Sequence, residues 1–364
     1  MTTATIKQIG TWRAADVTTG QVDSALSTLR RHELTAAVRV NVLTLVVVVA
    51  DQAEADAALG LLRTLGSRHP SRTIVLVVGQ HRVRSETDGA GRSAKAGGLS
   101  GRDAVATILS ADHGGRTYAF EELTITVRGQ GRHHLHSIVE PFTFADVPMA
   151  VWMPRRRAAL GDPLLAAANM AVLDSSCWGS DPAAMTSAVA THAALARRIP
   201  VSDIAWIALS SWRRAMAGLF GDGPERNLLA DVDHVEVSGP GNFPLLIGGW
   251  LMQRLQLRPP QMTLASSPAI SINLLNADRP VPDTCRVWSS LGAQENPASF
   301  EAEIRIQGFG DRTCRRELQA MSPSENLGLA LTRFSHDPSY EQALTGAMSL
   351  ATAFQSAKPA ARDV

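Results

Sequence analysis

The segment Val42–Ala50 constrains the fold more than any other. It reads VLTLVVVVA over nine residues. A membrane span needs about 20 apolar residues, so this run is a strand and not a transmembrane helix. The residues before it, from Val38, alternate apolar and polar, and the later ones are continuously apolar. That pattern predicts one strand, Val38–Ala50, passing from a sheet rim into a sheet covered on both faces. Such strands belong to parallel sheets with helices packed above and below.

The flanking segments agree. Asp16–Glu33 reads as a helix, with Val22, Ala25, Leu26 and Leu29 at i, i+3, i+4, i+7 and Thr18 or Thr19 as cap. Ala53–Leu65 is helical and Thr73–Val78 is a second buried strand. Together they predict a βαβ unit with a right-handed crossover. Gln80–Asp103 holds five glycines and no apolar periodicity, so residues 80–103 read as a flexible loop. Ala104–Ser110 and Leu123–Arg128 read as strands, the second wet on one face, and Gly129-Gln-Gly131 as a hairpin turn. Val147–Met153, Pro163–Asn169 and Met170–Asp174 give a second strand–helix–strand unit.

Further on, Ala183–Arg198 and Trp212–Phe220 read as helices, the latter capped by Ser210 or Ser211 and ended by turn residues Gly221–Pro224. Val232–Val237 is a strand. Phe243–Leu255 reads as an amphipathic helix with Leu246, Ile247, Trp250, Leu251 and Leu255 on one face. From Pro259 the chain is strand-rich: Gln261–Ala265, Ala269–Leu274, Cys285–Ser289, Ala302–Gln307 and Arg312–Leu318. The shift at Arg258-Pro259-Pro260 marks a domain boundary or a corner. Pro338–Phe354 is a closing helix capped by Asp337. At about 150 residues per domain, 364 residues suggest two. The expected fold is mixed α/β (α+β). Residues 1–180 form an N-terminal βαβ-containing sheet domain, 181–355 a strand-rich C-terminal α/β domain, and 356–364 a tail.

Charge excludes some partners. Lys and Arg number 35 against 34 Asp and Glu, a net charge of +1. That balance gives no bulk attraction to nucleic acid or to an anionic membrane. Cys177, Cys285 and Cys314 lie far apart and form no CxxC pair, as suits a reducing cytoplasm. Met1–Gly10 carries no apolar signal-peptide region. The expected location is cytoplasmic.

No motif carries clear chemistry. Gly89-Ala-Gly91-Arg-Ser-Ala94 matches GxGxxA but stands inside the long loop with no helix after it. His133, His134 and His136, with 134 and 136 on one face of a strand, could hold a metal only if a further donor joined them; as polar residues at a strand start they need none. Asp231-Val-Asp-His234 reads as a polar turn. Ser175-Ser176-Cys177 follows a strand, where α/β sites gather, yet no histidine is tied to it in sequence. Arg155-Arg156-Arg157 could grip a phosphate or a partner's carboxylates, or form a solvated charge run. No cofactor and no metal is expected.

Several stretches together resemble one family. They are Arg39-Val-Asn-Val-Leu-Thr-Leu-Val-Val-Val, Arg68-His-Pro-Ser-Arg72, Glu122-Leu-Thr-Ile-Thr-Val-Arg128 and His136-Ser-Ile-Val-Glu-Pro141. Asp146-Val-Pro-Met-Ala-Val-Trp152, Asp174-Ser175, Asp203-Ile-Ala-Trp206, Ser211-Trp-Arg213 and Gly249-Trp-Leu-Met-Gln-Arg-Leu255 complete the set. In order and spacing they are similar to the bacterial glucose-6-phosphate dehydrogenase assembly protein family, OpcA, over roughly residues 35–320. The chain departs from it at Trp152-Met153-Pro154-Arg155, where relatives often carry two tryptophans and a glycine, and at Ser210-Ser-Trp-Arg213, often Thr-Pro-Trp-Arg. The redox control linked to cysteines in some relatives maps onto none of the three here.

The resemblance implies a non-catalytic partner that binds glucose-6-phosphate dehydrogenase, favours its active oligomer and supports the pentose phosphate pathway. Candidate interface residues within the matching motifs are Arg68, Arg72, Trp152, Trp206, Trp212 and Arg213, with the neighbouring Arg155. Arg68, Arg72 and Arg213 are the expected surface residues, since an unpaired arginine is costly to bury. For each tryptophan core packing is the favoured reading, for Trp250 most of all. The alternatives are a sugar-phosphate enzyme or a metabolite-sensing domain using Arg155–Arg157. Self-association is left open.

Overall fold

The structure is a computed structural model. It describes residues 6–33, 38–39, 42–65, 71–79, 102–113, 116–178, 182–220, 229–268, 270–275, 285–289, 299–306, 312–319 and 321–357. The chain divides into two compact units, residues 1–156 with 160–173, and residues 157–159 with 174–364.

In the first unit the elements are β1 (Ile6–Ala14), α1 (Thr19–Glu33), β2 (Val38–Arg39), β3 (Leu43–Val49), α2 (Gln52–Leu65) and β4 (Ser71–Val77). They continue as β5 (Arg102–His113), β6 (Arg116–Val127), α3 (Leu135–Val139), β7 (Met149–Trp152), α4 (Pro163–Ala167) and β8 (Met170–Leu173). The sheet runs β1-β5-β6-β4-β3-β7-β8, with β2 added to β6. Its centre is parallel: β3 pairs with β4 and β7, β4 with β6, and β7 with β8. Every residue of β3 is buried, Thr44 included. The apolar run thus occupies the sheet's covered centre, and β3–α2–β4 is the expected βαβ unit. The second strand–helix–strand unit is β7–α4–β8, with Asp162 capping α4 through Leu164 N at 2.9 Å.

Three readings of this unit need correction. Val38–Ala50 is not one strand: β2 pairs with β6, whereas β3 pairs with β4 and β7. The change from alternating to continuous apolarity marked two strands with different neighbours. β5 and β6 are longer than expected and pair antiparallel from Arg102↔Val127 to His113↔Arg116. Gly129-Gln-Gly131 is not a hairpin turn, because β6 has no antiparallel strand after it. Gly129, at φ +58°, instead leads into the 3₁₀ turn Gly129–His133 and then α3. His134 stands before α3 and His136 within it, so they share no strand face. Most of the loop read at 80–103 lies outside the described residues.

The second unit contains α5 (Pro182–Ala196), β9 (Val201–Asp203), α6 (Ile204–Ala208), α7 (Ser210–Leu219), β10 (His234–Gly239) and α8 (Phe243–Arg254). After them come β11 (Met262–Ser266), β12 (Ser271–Leu275), β13 (Cys285–Ser289), β14 (Ser299–Ile306), β15 (Arg312–Gln319), α9 (Pro323–Thr332) and α10 (Pro338–Ala357). Its sheet runs β11-β10-β12-β13-β14-β15, parallel only between β10 and β11. Pro259–Gln261 forms a 3₁₀ corner between α8 and β11. Asp337 caps α10, accepting from Ser339 N at 3.0 Å and Tyr340 N at 3.1 Å.

Here too the structure corrects the sequence. Neither Ser210 nor Ser211 caps α7, which follows α6 directly through Leu209; the aspartate at the end of β9, Asp203, caps α6 instead. α9 was not foreseen. Its signal is the capping box Ser322-Pro323-Ser324-Glu325, in which Ser322 N donates to Glu325 Oε2 at 2.8 Å and Glu325 N to Ser322 Oγ at 3.3 Å. α8 is not amphipathic: Phe243–Gly249, Leu251 and Met252 are all buried. A helix apolar on every side is an interior helix. Trp250, the expected core residue, is half-exposed, as is Gln253, and Arg254 at the helix end is exposed.

α8 and α10 cross at two glycines. A Cβ at Gly249 would stand 2.5 Å from Ala343 O and from Ala347 N, and one at Gly346 would strike the Gly249 carbonyl. The obstacles are backbone, which cannot rotate away. Gly346→Ala is therefore expected to destabilise the chain by about 2–3 kcal/mol, the upper range for overpacking. The check is a thermal melt; Gly161→Ala, where nothing lies within 4 Å, should leave the midpoint almost unchanged.

Candidate functional site

The first unit places its buried charge on β6. Glu121 is 3% exposed and holds two arginines. Arg30 of α1 donates from Nε to Oε1 at 2.8 Å and from Nη2 to Oε2 at 2.9 Å. Arg72 of β4 donates from Nε to Oε2 at 2.8 Å and from Nη1 to Phe142 O at 2.7 Å, and its Cζ lies 4.0 Å from the Phe144 ring centroid. Next to it, Glu122 pairs with Arg63 of α2, whose guanidinium pKa is raised by that hydrogen bond. The expectation of Arg72 at the surface is thus corrected. A buried arginine is costly only when unpaired, and this one is bound on two sides.

The other candidates of this unit separate by depth. Trp152 of β7 is 2% exposed and is an interior residue. Arg155 is exposed and stands 3.9 Å from Glu54. Arg157, in the second unit, donates from Nη2 to Trp178 O at 2.5 Å. Arg155 and Arg157 are thus engaged by different partners. Arg68 lies outside the described residues.

The second unit is built around Asp203. Its Oδ1 accepts from Ser175 N and Ala205 N, both at 3.0 Å, and its Oδ2 from the Tyr340 hydroxyl at 2.7 Å. That hydroxyl is 3.1 Å from His192 Nδ1, and Trp178 Nε1 donates to His192 Nε2 at 3.2 Å. With Nε2 accepting, the proton of a neutral His192 belongs on Nδ1, where it can be donated to Tyr340. Burial pushes the Asp203 carboxyl and the Tyr340 hydroxyl up, and His192 down to about 4. The neighbouring Asp174, whose Oδ1 accepts from Ser176 N at 3.0 Å, is raised by burial too. Cys177 donates from Sγ to Asp174 O at 2.6 Å.

Beside this network, Trp206 of α6 is 2% exposed, and its Nε1 donates to Asp337 Oδ2 at 3.2 Å. Trp212 of α7 is also 2% exposed and packs edge-on against Phe243. Both tryptophans are interior. Arg213, half-buried, lays its guanidinium 3.6 Å from the Trp206 ring centroid and donates from Nη2 to Trp206 O at 3.2 Å. Burial lowers its pKa to about 10, the Asp337 charge partly opposing. Arg213 lines an open groove of about 990 Å³ bounded by α7, the end of α8, the end of α9 and the start of α10. A smaller apolar cavity of about 400 Å³ lies beside Asn242 and Pro244.

Of the residues named from sequence, the structure brings Trp206, Trp212 and Arg213 together and leaves Arg155 exposed. Asp337 and Arg254 were not singled out as site residues, although Asp337 was read as a cap. Among the described residues no group of three or more His, Cys, Asp or Glu could hold a metal, and no helix is long and apolar enough to cross a membrane.

Fold and site define a two-unit α/β protein whose second unit carries an arginine-lined groove. Two family models match it: residues 63–191 match the glucose-6-phosphate dehydrogenase subunit N-terminal domain, and residues 199–344 the corresponding C-terminal domain. The chain belongs to the OpcA family of glucose-6-phosphate dehydrogenase assembly proteins. No curated protein matches it.

Two outcomes follow from the buried charges. Glu121→Ala strands Arg30 and Arg72 and should cost about 3–5 kcal/mol by denaturant unfolding. Arg155→Ala, at an exposed pair, should change stability by less than about 1 kcal/mol. His192 is held neutral in the fold, while in the unfolded chain it gains a proton below its ordinary 6.5. Its contribution is therefore complete above pH 6.5 and is lost as pH falls toward about 4, at most about 3 kcal/mol. Asp203 and Asp174, raised by burial, act with the opposite sign. The difference between wild type and His192→Gln isolates the histidine, and that variant should lose less stability between pH 7 and pH 5.

Proposed function

We propose that this chain is a non-catalytic partner of glucose-6-phosphate dehydrogenase. It binds the enzyme in the cytoplasm, favours its active oligomer and thereby supports NADPH formation by the oxidative pentose phosphate pathway. The observation that carries this reading is the pair of matches in chain order, residues 63–191 and 199–344, each described as a domain of a glucose-6-phosphate dehydrogenase subunit. The chemistry of the interior is consistent with it. Asp203, Tyr340 and His192 are buried and spend their polar atoms on one another and on backbone N–H groups. The sugar-phosphate alternative at Arg155–Arg157 gains no support, because Arg155 stands against Glu54 and Arg157 is bound to a carbonyl. Among the described residues, Arg213 and Arg155 are the candidate contact residues that remain accessible.

An activator of this kind binds the active form of its target more tightly than the inactive form. A tenfold shift requires about 1.4 kcal/mol of differential affinity, within reach of a few interface side chains. The test mixes the purified chain with the dehydrogenase of the same organism. Size exclusion reads the complex, and absorbance reads NADPH formation at limiting glucose 6-phosphate. Co-elution with an increased rate is the expected result. Separate elution with an unchanged rate, in both oxidising and reducing buffer, would overturn the reading.

A further inference from the structure

We infer that the groove beside Arg213 seats an acidic amphipathic helix of the dehydrogenase, a placement that rests on the partner reading above. Shape is the first argument. On α7, Ser210, Arg213, Arg214 and Ala217 recur at i, i+3, i+4, i+7 and form one wall; Leu251, Arg254 and Leu255 of α8 and its C-terminal turn face the same space. Grooves bounded by helix faces take a helix whose apolar residues repeat with the same period.

Charge is the second argument. Arg213, Arg214, Arg254 and Arg333 line the groove, together with the carboxylate of Asp337. The Asp337 oxygens already accept from Ser339 N, Tyr340 N and Trp206 Nε1, and Arg333 approaches only to 4.0 Å. Arg254 reaches Ser339 Oγ at 3.4 Å, a long contact for so strong a donor. Arg213 Nε is buried with no hydrogen-bond partner. The lining therefore carries positive charge in excess, which a glutamate or aspartate on the arriving helix would neutralise.

Apolar exposure is the third. Leu329, which lines the groove, is 38% exposed. A small anion would satisfy the arginines and leave it in water. A helix with acidic flanks and an apolar stripe covers it.

The experiment titrates the full-length chain into the dehydrogenase by calorimetry at low and physiological salt. It compares wild type with Arg213→Glu, Arg254→Glu and the control Arg31→Glu at an exposed position of α1. Arg254 is exposed at a helix end, so its variant keeps the test valid if Arg213→Glu fails to fold. The expected result is at least tenfold weaker binding for Arg254→Glu and Arg213→Glu, a shallower salt dependence for both, and no change for Arg31→Glu. Wild-type affinity in both groove variants would overturn the groove and leave the partner reading standing. No binding by wild type would overturn both. Self-association of wild type that Arg254→Glu abolishes would assign the groove to a second copy. Inorganic phosphate binding lost in Arg213→Glu, with dehydrogenase affinity intact, would assign it to a small anion; either outcome overturns the inference.

Discussion

A carboxylate sealed from water must have both oxygens hydrogen-bonded, and Asp203 meets that demand in a way that organises the second unit. One oxygen receives the N–H groups of Ser175 and Ala205, and the other receives the Tyr340 hydroxyl. The first pair fixes the turn after β8 and the start of α6. The second ties both to the first turn of α10. His192 and Trp178 extend the chain of bonds to α5. Each member is buried, so loss of any one leaves a desolvated group facing it. The position of α6 determines where Trp206 lies, and Trp206 in turn supports the guanidinium of Arg213.

The first unit solves a similar problem with opposite charges. Two adjacent glutamates on β6 stand at positions where a strand side chain meets helix and sheet neighbours. Arg30, Arg72 and Arg63 arrive from α1, β4 and α2 to neutralise them. The arrangement explains how a strand carrying Glu121-Glu122 lies inside a mixed sheet. It explains equally why Arg72, in a family-like motif, is a structural residue and not a surface contact.

Much of the scaffold was legible because it is written in local periodicity. The unbroken apolar character of Leu43–Val49 announced a strand covered on both faces. The i, i+3, i+4, i+7 spacing in α1 and the Asp337-Pro338 start of α10 were equally direct. The candidate site was legible only in fragments. Trp206, Trp212 and Arg213 stood out in motifs, but no local pattern encodes their depth, and two of the three are interior. Their companions lie far along the chain: Trp206 meets Asp337 across 131 positions, and Asp203 meets Tyr340 across 137. No periodicity spans such distances.

What the sequence determined by itself is therefore the kind of element most stretches form and the family to which the chain's motifs are similar. Hydrophobic period and capping chemistry act within a turn or two, so they survive in a one-dimensional reading. The tertiary structure decided which strands are neighbours, dividing Val38–Val49 between two places in one sheet. It decided that α8 is buried over most of its surface, and which arginines are neutralised inside and which line a groove. Those outcomes depend on desolvation and on partners supplied by distant segments, and both are fixed only when the chain has closed on itself.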